Sequence, residues 1–544
     1  MKYFQWDPAL LPKVFIFFII TILFVFLISA RKPKIHLILA FISSTALLIV
    51  HELFLGTDAE DAYISYRYAW NLVQGNGLVF NAGEKVEGYS NFLFTMIIAG
   101  VNYLTNMDLV IAARATSFIS SVAAIFLVYF LAIDLTNGNK RAAVVAMFLT
   151  ACSCVFAAWG LSGMETSFFS FLVLCALLSF SKGKYLLAGV LIGLATMTRP
   201  DGILLALAFG TMLLVDLYKK EKNSIKNIVL LTIGCALFLI PWTTWRLHYY
   251  GYFLPNCIAA KKGGILESQF LYGLKYFMYF SIRILPLLPI LFLTFYKTNV
   301  HWHWKTRQIS TVGLIVTIFS VYIILVGGDW MPAFRFFVPV VPLISILAAL
   351  GFEKIISFTE KRSRWIGSVL LLFISMYTLL QFFFFAPEIK FWKDEVSGLK
   401  EIGRWLNNSL PRGTVIATFA NGGLSYEARD LYVIDMLGLT DAHIAREGKR
   451  GKHFFPGHMS HDYDYVAARK PSIIAFLGGD GFSKRIDKHI PLIQLENDYI
   501  AATFIHLKSN NPFGQYANLL VLKNDLDLIV GMLTRKGEIE YATN

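Results

Sequence analysis

Charge is what this 544-residue chain has least of. Only 16% of its residues are Asp, Glu, Lys or Arg, while 56% are hydrophobic. A soluble protein of this size carries roughly a quarter charged residues, so an ordinary soluble globule is excluded. Cysteine is scarce as well, with five residues and an odd count. Cys152, Cys154, Cys175 and Cys235 lie in apolar runs, Cys257 lies in a connecting loop, and none follows residue 257. That leaves no disulfide framework and no zinc pattern; cysteine serves here as a small apolar side chain. The chain also lacks an internal repeat, a low-complexity tract and a phosphate-binding glycine loop. Its net charge of +13 does not make it a nucleic-acid binder, because no basic patch interleaves with a folded soluble part.

What is present is a series of long apolar runs. Residues 14–29, 35–54, 110–134, 141–158, 163–181, 184–198, 201–218, 227–247, 273–296, 309–326, 335–352 and 365–386 each suit a membrane crossing, about twelve transmembrane helices in all. The first run is followed by Arg31, Lys32 and Lys34. That flank favours a retained helix with its N-terminus outside; a signal peptide ending at Ile28-Ser-Ala30 is the rival reading. Basic residues then fall in every second loop: 31–34, 140–141, 182–184, 219–226, 297–307 and 354–364. This is the pattern that holds loops in the cytoplasm. Residues 92–104 are apolar but short, and suit a helix along the outer surface. Counting them as a span would reverse every later loop and break the charge pattern.

The first outer loop, residues 56–91, is the polar stretch around which the rest is organised. It carries Glu60 and Asp61 in the first turn of an expected helix, followed by Tyr63, Tyr66, Arg67 and Trp70, with Gly75 and Gly77 ending it. The segment VEGYSNF brings Glu87, Tyr89 and Asn91. Thr57 to Glu60 has the form of a capping box, in which Glu60 reaches back to the Thr57 N–H. Asp61 has no such structural use, which makes it the expected general base and Glu60 its support. The same face holds Glu165 in SGMET, Arg199 and Asp201 in TRPDG, Lys261 and Lys262, and Asp329, Trp330 and Arg335 in GGDWMPAFRF. Ionisable groups at the edges of apolar spans are costly and usually functional. Taken singly, Arg199 or Arg335 could snorkel to the interface, and Asp201 could cap the helix after Pro200.

From residue 388 the composition changes. EVSGLKEIGRWLNNSL reads as an amphipathic helix, and TVIATF, YVIDML, SIIAFLG, YIAATF and NLLVLK read as strands. The expectation is a membrane domain over 1–387 followed by a soluble α/β domain over 388–544, outside with the reactive face. Its polar cluster contains Asp435 in DMLGLTD and His453, His458 and His461. The histidine spacing matches no compact zinc pattern; a divalent metal is left as an open cofactor and its ligands are unknown.

The stretch EDAYISYRYAWNLVQGNGLVFNAGEKVEGYSNFLF resembles the first outer loop of bacterial GT-C glycosyltransferases. It is most similar to relatives of the mycobacterial terminal β-arabinofuranosyltransferase, which usually carry two adjacent aspartates where this chain has Glu60 and Asp61. GMETSFFSFL, TRPDG, GGDWMPAFRFFVP and DMLGLTD with the following IAR and GH look like the same family. An extra N-terminal span is the second departure. The resemblance implies a GT-C fold in a bacterial plasma membrane and a polyprenyl phosphate monosaccharide donor. It also implies a cell-envelope glycan acceptor, with the active site facing the periplasm or exterior. In that reading Asp61 or Glu60 takes the acceptor proton. Arg199, Arg335, Lys261 and Lys262 hold the departing phosphate. Trp330, Tyr63 and Tyr66 stack on sugar faces, and Arg67, Glu87, Tyr89, Asn91, Glu165, Asp201, Asp329, Asp435 and His458 line the substrate site. A protein O-mannosyltransferase on the same fold is the nearest rival. A lipid-linked sugar flippase is the rival from another class; it fits less well, since transporters place ionisable groups near the bilayer midplane and often show repeats.

Overall fold

The computed structural model describes residues 11–29, 33–261, 263, 266–296, 305–359, 365–451, 459–476, 498–506, 516–534 and 539–543. Lys262, His453 and His458 lie outside these described residues. The chain forms two compact units that do not follow the linear division expected at residue 388. The first comprises 1–57, 113–244 and 269–389; the second comprises 58–112, 245–268 and 390–544.

The first unit is helical. Among the described residues, six helices of the chain are long and apolar enough to cross a membrane, including Pro33–Leu55, Leu109–Leu135, Ser224–Tyr250 and Thr306–Leu325. A seventh arises if Leu266–Arg283 and Leu285–Phe295, bent by 73° at their junction, count as one span. Close packing between helices depends on small residues. A Cβ at Gly189 would come within 2.9 Å of Gly234 Cα, so the two helices bearing these glycines meet backbone to backbone. The basic connections also carry local pairs. Arg141 binds Glu353 at 2.9 Å, and Asp134 receives both Lys182 at 2.5 Å and Lys305 at 2.6 Å.

The second unit holds a six-stranded mixed sheet of order β2-β1-β5-β7-β6-β8. Here β1 is Val415–Thr418, β2 Tyr432–Asp435, β5 Ile473–Phe476, β6 Tyr499–His506, β7 Tyr516–Leu522 and β8 Ile539–Thr543; the short β3 (Lys449–Arg450) and β4 (Ser460–His461) pair separately. β1 runs parallel to both β2 and β5, with Val415 opposite Tyr432 and Ile416 opposite Ile473. The remaining partners are antiparallel. β1, β2, β5, β6 and β7 fall on the segments read as strands, whereas β8, from IEYAT, was not expected. Apolar alternation is weak there because its run is short and interrupted by charge.

Residues 58–91 belong to this unit. Its helix Ala62–Val73 and the following turn place Ile64, Tyr68, Leu78, Phe80 and Tyr89 in one buried cluster with Leu399, Leu406, Ile416, Leu424 and Val433. Helix Phe92–Thr105 is also part of the unit, and at 14 residues is too short to span a bilayer. Helix Phe382–Ser409 runs unbroken through Pro387 and across the expected domain boundary. An apolar span and an amphipathic segment share one helical period, so the composition shift marks no break in the backbone.

Candidate active site

Glu60 and Asp61 sit at the entrance of helix Ala62–Val73, and the local structure differs from the capping box. The Thr57 N–H donates to the Ala158 carbonyl at 3.0 Å, so it is not available to Glu60. The helix begins at Ala62, and Asp61 occupies the capping position without a side-chain capping bond. The Glu60 carboxylate instead accepts from the Gly422 backbone N–H. Gly422 must be glycine for this approach: a Cβ there would lie 2.6 Å from the Glu60 carboxyl. Burial pushes Glu60 up to about 8; the Asp61 charge and, more weakly, Glu395 add to it, while the N–H groups of Gly422 and Gly423 oppose it. Glu60 therefore holds a proton at neutral pH.

The tyrosines after this pair stack on one another. Tyr63 and Tyr66 meet edge to face at 5.0 Å, and both contact Tyr426. The Tyr63 hydroxyl donates to Asp58 at 3.1 Å and accepts from Lys400 at 3.1 Å. Both rings are buried, so they wall the acidic pair and do not offer open faces to a sugar. Arg67 is likewise redirected. Its buried guanidinium donates to the carbonyls of Phe80 at 2.8 Å and Leu431 at 2.9 Å, to that of Ser425, and to Asn81 Oδ1 at 3.2 Å. It pins the first outer loop to the segment after β1, which carries Gly422. Asn91 accepts from Ser65 at 2.9 Å and Thr95 at 3.1 Å. The Tyr89 hydroxyl meets that of Tyr250 at 3.1 Å. Arg67, Tyr89 and Asn91 therefore build the scaffold of the site.

Asp435 is also a scaffold residue. Its carboxylate accepts from the backbone of Leu437 at 2.9 Å and of Thr440 at 2.7 Å, and from Asn421 at 3.0 Å. It organises the DMLGLT turn, and this brings Thr440 so close to Gly88 that any side chain at 88 would collide with it. Burial raises Asp435 to about 6, partly offset by the Thr440 and Leu437 N–H groups. Glu87 is buried and pairs with Arg246 at 3.3 Å; burial pushes it up to about 8 despite that cation. Lys261 ends helix Asn256–Lys261 in an exposed position, and no ion pair reaches it among the described residues.

Glu165, Arg199, Asp201, Asp329, Trp330 and Arg335 lie in the first unit. Arg199 is extended ahead of Pro200, as a residue before proline prefers. Pro200 opens a tight turn over Pro200–Ile203, in which Asp201 turns back onto Arg199 at 3.0 Å instead of capping the next helix. A second pair joins Arg199 to Glu165 at 3.1 Å. Arg335 grips Asp329 with two bonds of 2.7 and 3.1 Å. Both guanidinium groups lie over the Phe336 ring, at 5.2 and 5.4 Å, so TRPDG and GGDWMPAFRF form one cluster. Ala333 and Phe334 adopt positive φ of 53° and 50°, an uncommon conformation that costs on the order of 1–3 kcal/mol each. Three carboxylates against two arginines leave no surplus positive charge. A phosphate at Arg199 or Arg335 would have to share these guanidinium groups with acids already in bidentate geometry. Trp330 is half-buried.

Sequence reasoning missed Gly422, Lys400, Glu395 and Arg246, which surround the acids of the second unit from segments far away in sequence. It also missed Glu52, a fully buried carboxyl in helix Pro33–Leu55 packed against Gly160; an acid inside an apolar run was the available signal. Among the described residues, no three His, Cys, Asp or Glu side chains converge as a metal-ligand set.

Comparisons with known proteins agree with this architecture. Residues 90–245 match the dolichyl-phosphate-mannose-protein mannosyltransferase family, and residues 388–520 match a domain of unknown function, DUF8728. A terminal β-(1→2)-arabinofuranosyltransferase of Corynebacterium glutamicum is 25% identical over 360 residues, covering 57% of this chain and 51% of its own length. The chain thus spans about half the length of that relative. ArnT of Cupriavidus metallidurans, solved bound to undecaprenyl phosphate, superimposes with a TM-score of 0.57 at 10% identity, over 90% of this chain and 98% of its own. The oligosaccharyltransferase AglB of Archaeoglobus fulgidus, solved with an inhibitory peptide and a dolichol-phosphate, gives 0.52 at 12% identity, over 90% and 74%. The solved structures share the fold of this chain, and its long apolar helices suit an integral membrane protein.

Proposed function

We propose that this protein transfers a monosaccharide from a polyprenyl phosphate donor to a cell-envelope glycan on the outer face of a bacterial plasma membrane. The observation that carries this reading is the adjacent Glu60–Asp61 pair at the entrance of helix Ala62–Val73, with the buried Glu60 carboxyl held by the Gly422 N–H. A glycosyl phosphate brings its own leaving group, so the enzyme's main task is to deprotonate an acceptor hydroxyl. Asp61 takes that proton, the acceptor oxygen bonds to the anomeric carbon, and the carbon–oxygen bond to phosphate breaks to release polyprenyl phosphate. Glu60, protonated, orients the reacting groups, and Lys261 and Lys262 supply positive charge for the departing phosphate. Nucleotide sugars are cytoplasmic, so an outward-facing enzyme needs a donor presented by the bilayer. Lipid phosphates in the solved relatives support that donor class. We place the chain in the membrane with twelve crossings, and residues 388–544 outside as a soluble α/β domain. Arabinofuranose is the sugar favoured by the corynebacterial relative. The match over 90–245 supports a second reading, mannosyl transfer to protein.

The test is transfer in nanodiscs from synthetic polyprenyl phosphate arabinofuranose and polyprenyl phosphate mannose, with mass spectrometry of the lipid that co-purifies. Polyprenyl phosphate release that depends on added glycan, and is lost in Asp61→Asn, is the expected result. No turnover of either donor refutes the donor class; mannose transfer to peptide selects the second reading.

A further inference from the structure

Helix Leu266–Arg283 stops at a break. Pro286 cannot extend it, and the following segment Leu285–Phe295 leaves at 73°. A helix end presents carbonyls without helical partners, and two side chains take them here. Tyr377 donates its hydroxyl to the Ile282 carbonyl, and Gln381 its amide to the Arg283 carbonyl. What remains unmet at the break is the Arg283 side chain. Its guanidinium lies 5.2 Å from each of the Phe384 and Phe385 rings. Stacking engages the face of a guanidinium and leaves its N–H donors, which point along the edge, in need of acceptors. Among the described residues no hydrogen bond or ion pair reaches them, and Nε is buried without a partner. Glu388 lies one turn beyond Phe384 on helix Phe382–Ser409, and so shares the face that holds Arg283. The Arg283 charge acts on the Glu388 carboxyl, yet no ion pair joins the two, and among the described residues no hydrogen bond reaches Glu388. Both side chains are half-buried. Glu388 is also the first charged residue after the apolar run 365–386. Apolar side chains give way to charged ones at this level, as they do where bilayer hydrocarbon meets headgroups. All of these residues belong to the first unit.

We propose that this break binds the headgroup of a zwitterionic phospholipid, with the lipid phosphate on Arg283 and its primary ammonium on Glu388. A guanidinium fork matches phosphate oxygens with parallel bonds, and an ammonium brings the donors that the Glu388 carboxyl lacks. A phosphoglycerol headgroup or a phosphomonoester would satisfy Arg283 alone and set a negative charge beside an acid. That favours phosphoethanolamine over an anionic lipid and over the phosphate of a polyprenyl carrier. Ile282, Leu285 and Phe384 are exposed and offer the acyl chains an apolar surface beside the headgroup. The proposal does not depend on the chemistry at Glu60 and Asp61.

The test is native mass spectrometry of the full chain released from detergent micelles. The probes are phosphatidylethanolamine and phosphatidylglycerol with the same acyl chains, and polyprenyl phosphate. We expect one phosphatidylethanolamine to stay bound with about tenfold greater affinity than phosphatidylglycerol, the worth of about one charge-assisted contact. Arg283→Gln should weaken both phospholipids about tenfold. Glu388→Gln should weaken phosphatidylethanolamine alone, so that the preference disappears. Gln at 388 keeps the side-chain length and the helix propensity, so this variant carries the test if Arg283→Gln does not fold. No retained lipid, equal affinities, or a preference for phosphatidylglycerol means that the break meets only bulk lipid and overturns the proposal. A preference that persists in the folded variants overturns it as well. So does displacement of phosphatidylethanolamine by an equal amount of polyprenyl phosphate, because the bound phosphate would then be the carrier's.

Discussion

Separating Glu60 from Asp61 tests the chemistry most directly. Glu60 has a raised proton affinity because it is buried, faces the Asp61 charge and senses Glu395. With a pKa of about 8 it is roughly nine-tenths protonated at pH 7. Glu60→Gln therefore imitates the state already present, and Gln can still accept from the Gly422 N–H. Turnover at pH 7 should stay within about tenfold of wild type, a change of roughly 1.4 kcal/mol. Wild-type turnover should fall as pH rises through about 8, where Glu60 ionises, and Glu60→Gln should lack that limb. Asp61→Asn removes the base itself. The expected loss is about 10²–10⁴ in rate, or roughly 3–5 kcal/mol of transition-state stabilisation. It also removes one cause of the Glu60 shift, so the residual activity should show its pH limb below 8. The assay is release of polyprenyl phosphate in nanodiscs at pH 6 to 9.5, with donor binding measured separately. If Glu60→Gln is inactive while Asp61→Asn turns over, the two roles are reversed; if both variants remain active, the pair is not catalytic.

Glu60 also affects stability. A carboxyl raised from 4.5 to about 8 on folding favours the folded state fully below pH 4.5, and that advantage is lost as pH climbs through 8. Thermal unfolding of the wild type should thus occur at lower temperature at pH 8.5 than at pH 5.5, with a smaller difference in Glu60→Gln. Gly422→Ala should cost at least tenfold in turnover while donor binding persists, because its Cβ would push the Glu60 carboxyl away; wild-type kinetics would show that the approach is dispensable. Arg335→Gln leaves buried Asp329 unpaired and should cost about 3–5 kcal/mol of stability, seen as a large drop in unfolding temperature. An unchanged unfolding temperature with weakened donor affinity would return Arg335 to the phosphate. In a cysteine-free background, Ala82→Cys and Ala468→Cys, both exposed positions, should react with a membrane-impermeant thiol reagent in intact spheroplasts; labelling only after lysis would overturn the outward orientation.

Hydropathy by itself determined that the chain is a helical membrane protein, because apolar length and loop charge act locally and need no partners. Period-two alternation likewise located five of the strands, and the density of Glu60, Asp61 and the following aromatics singled out the loop proposed to react. The use of each polar side chain was decided only by tertiary structure. Thr57 to Glu60 has capping-box spacing, but the Thr57 N–H is taken by Ala158 and Glu60 by Gly422, residues roughly 100 and 360 positions away. Arg199 and Arg335 look like free cations in sequence, yet acids two to thirty-four residues away neutralise them. Arg67, Tyr89 and Asp435 stand in motifs that read as substrate contacts, and folding commits them to carbonyls, a hydroxyl and backbone N–H groups. Residue type and spacing specify which groups are able to act. Burial and long-range partners set whether a group is charged, saturated or available, and neither quantity is encoded in local sequence.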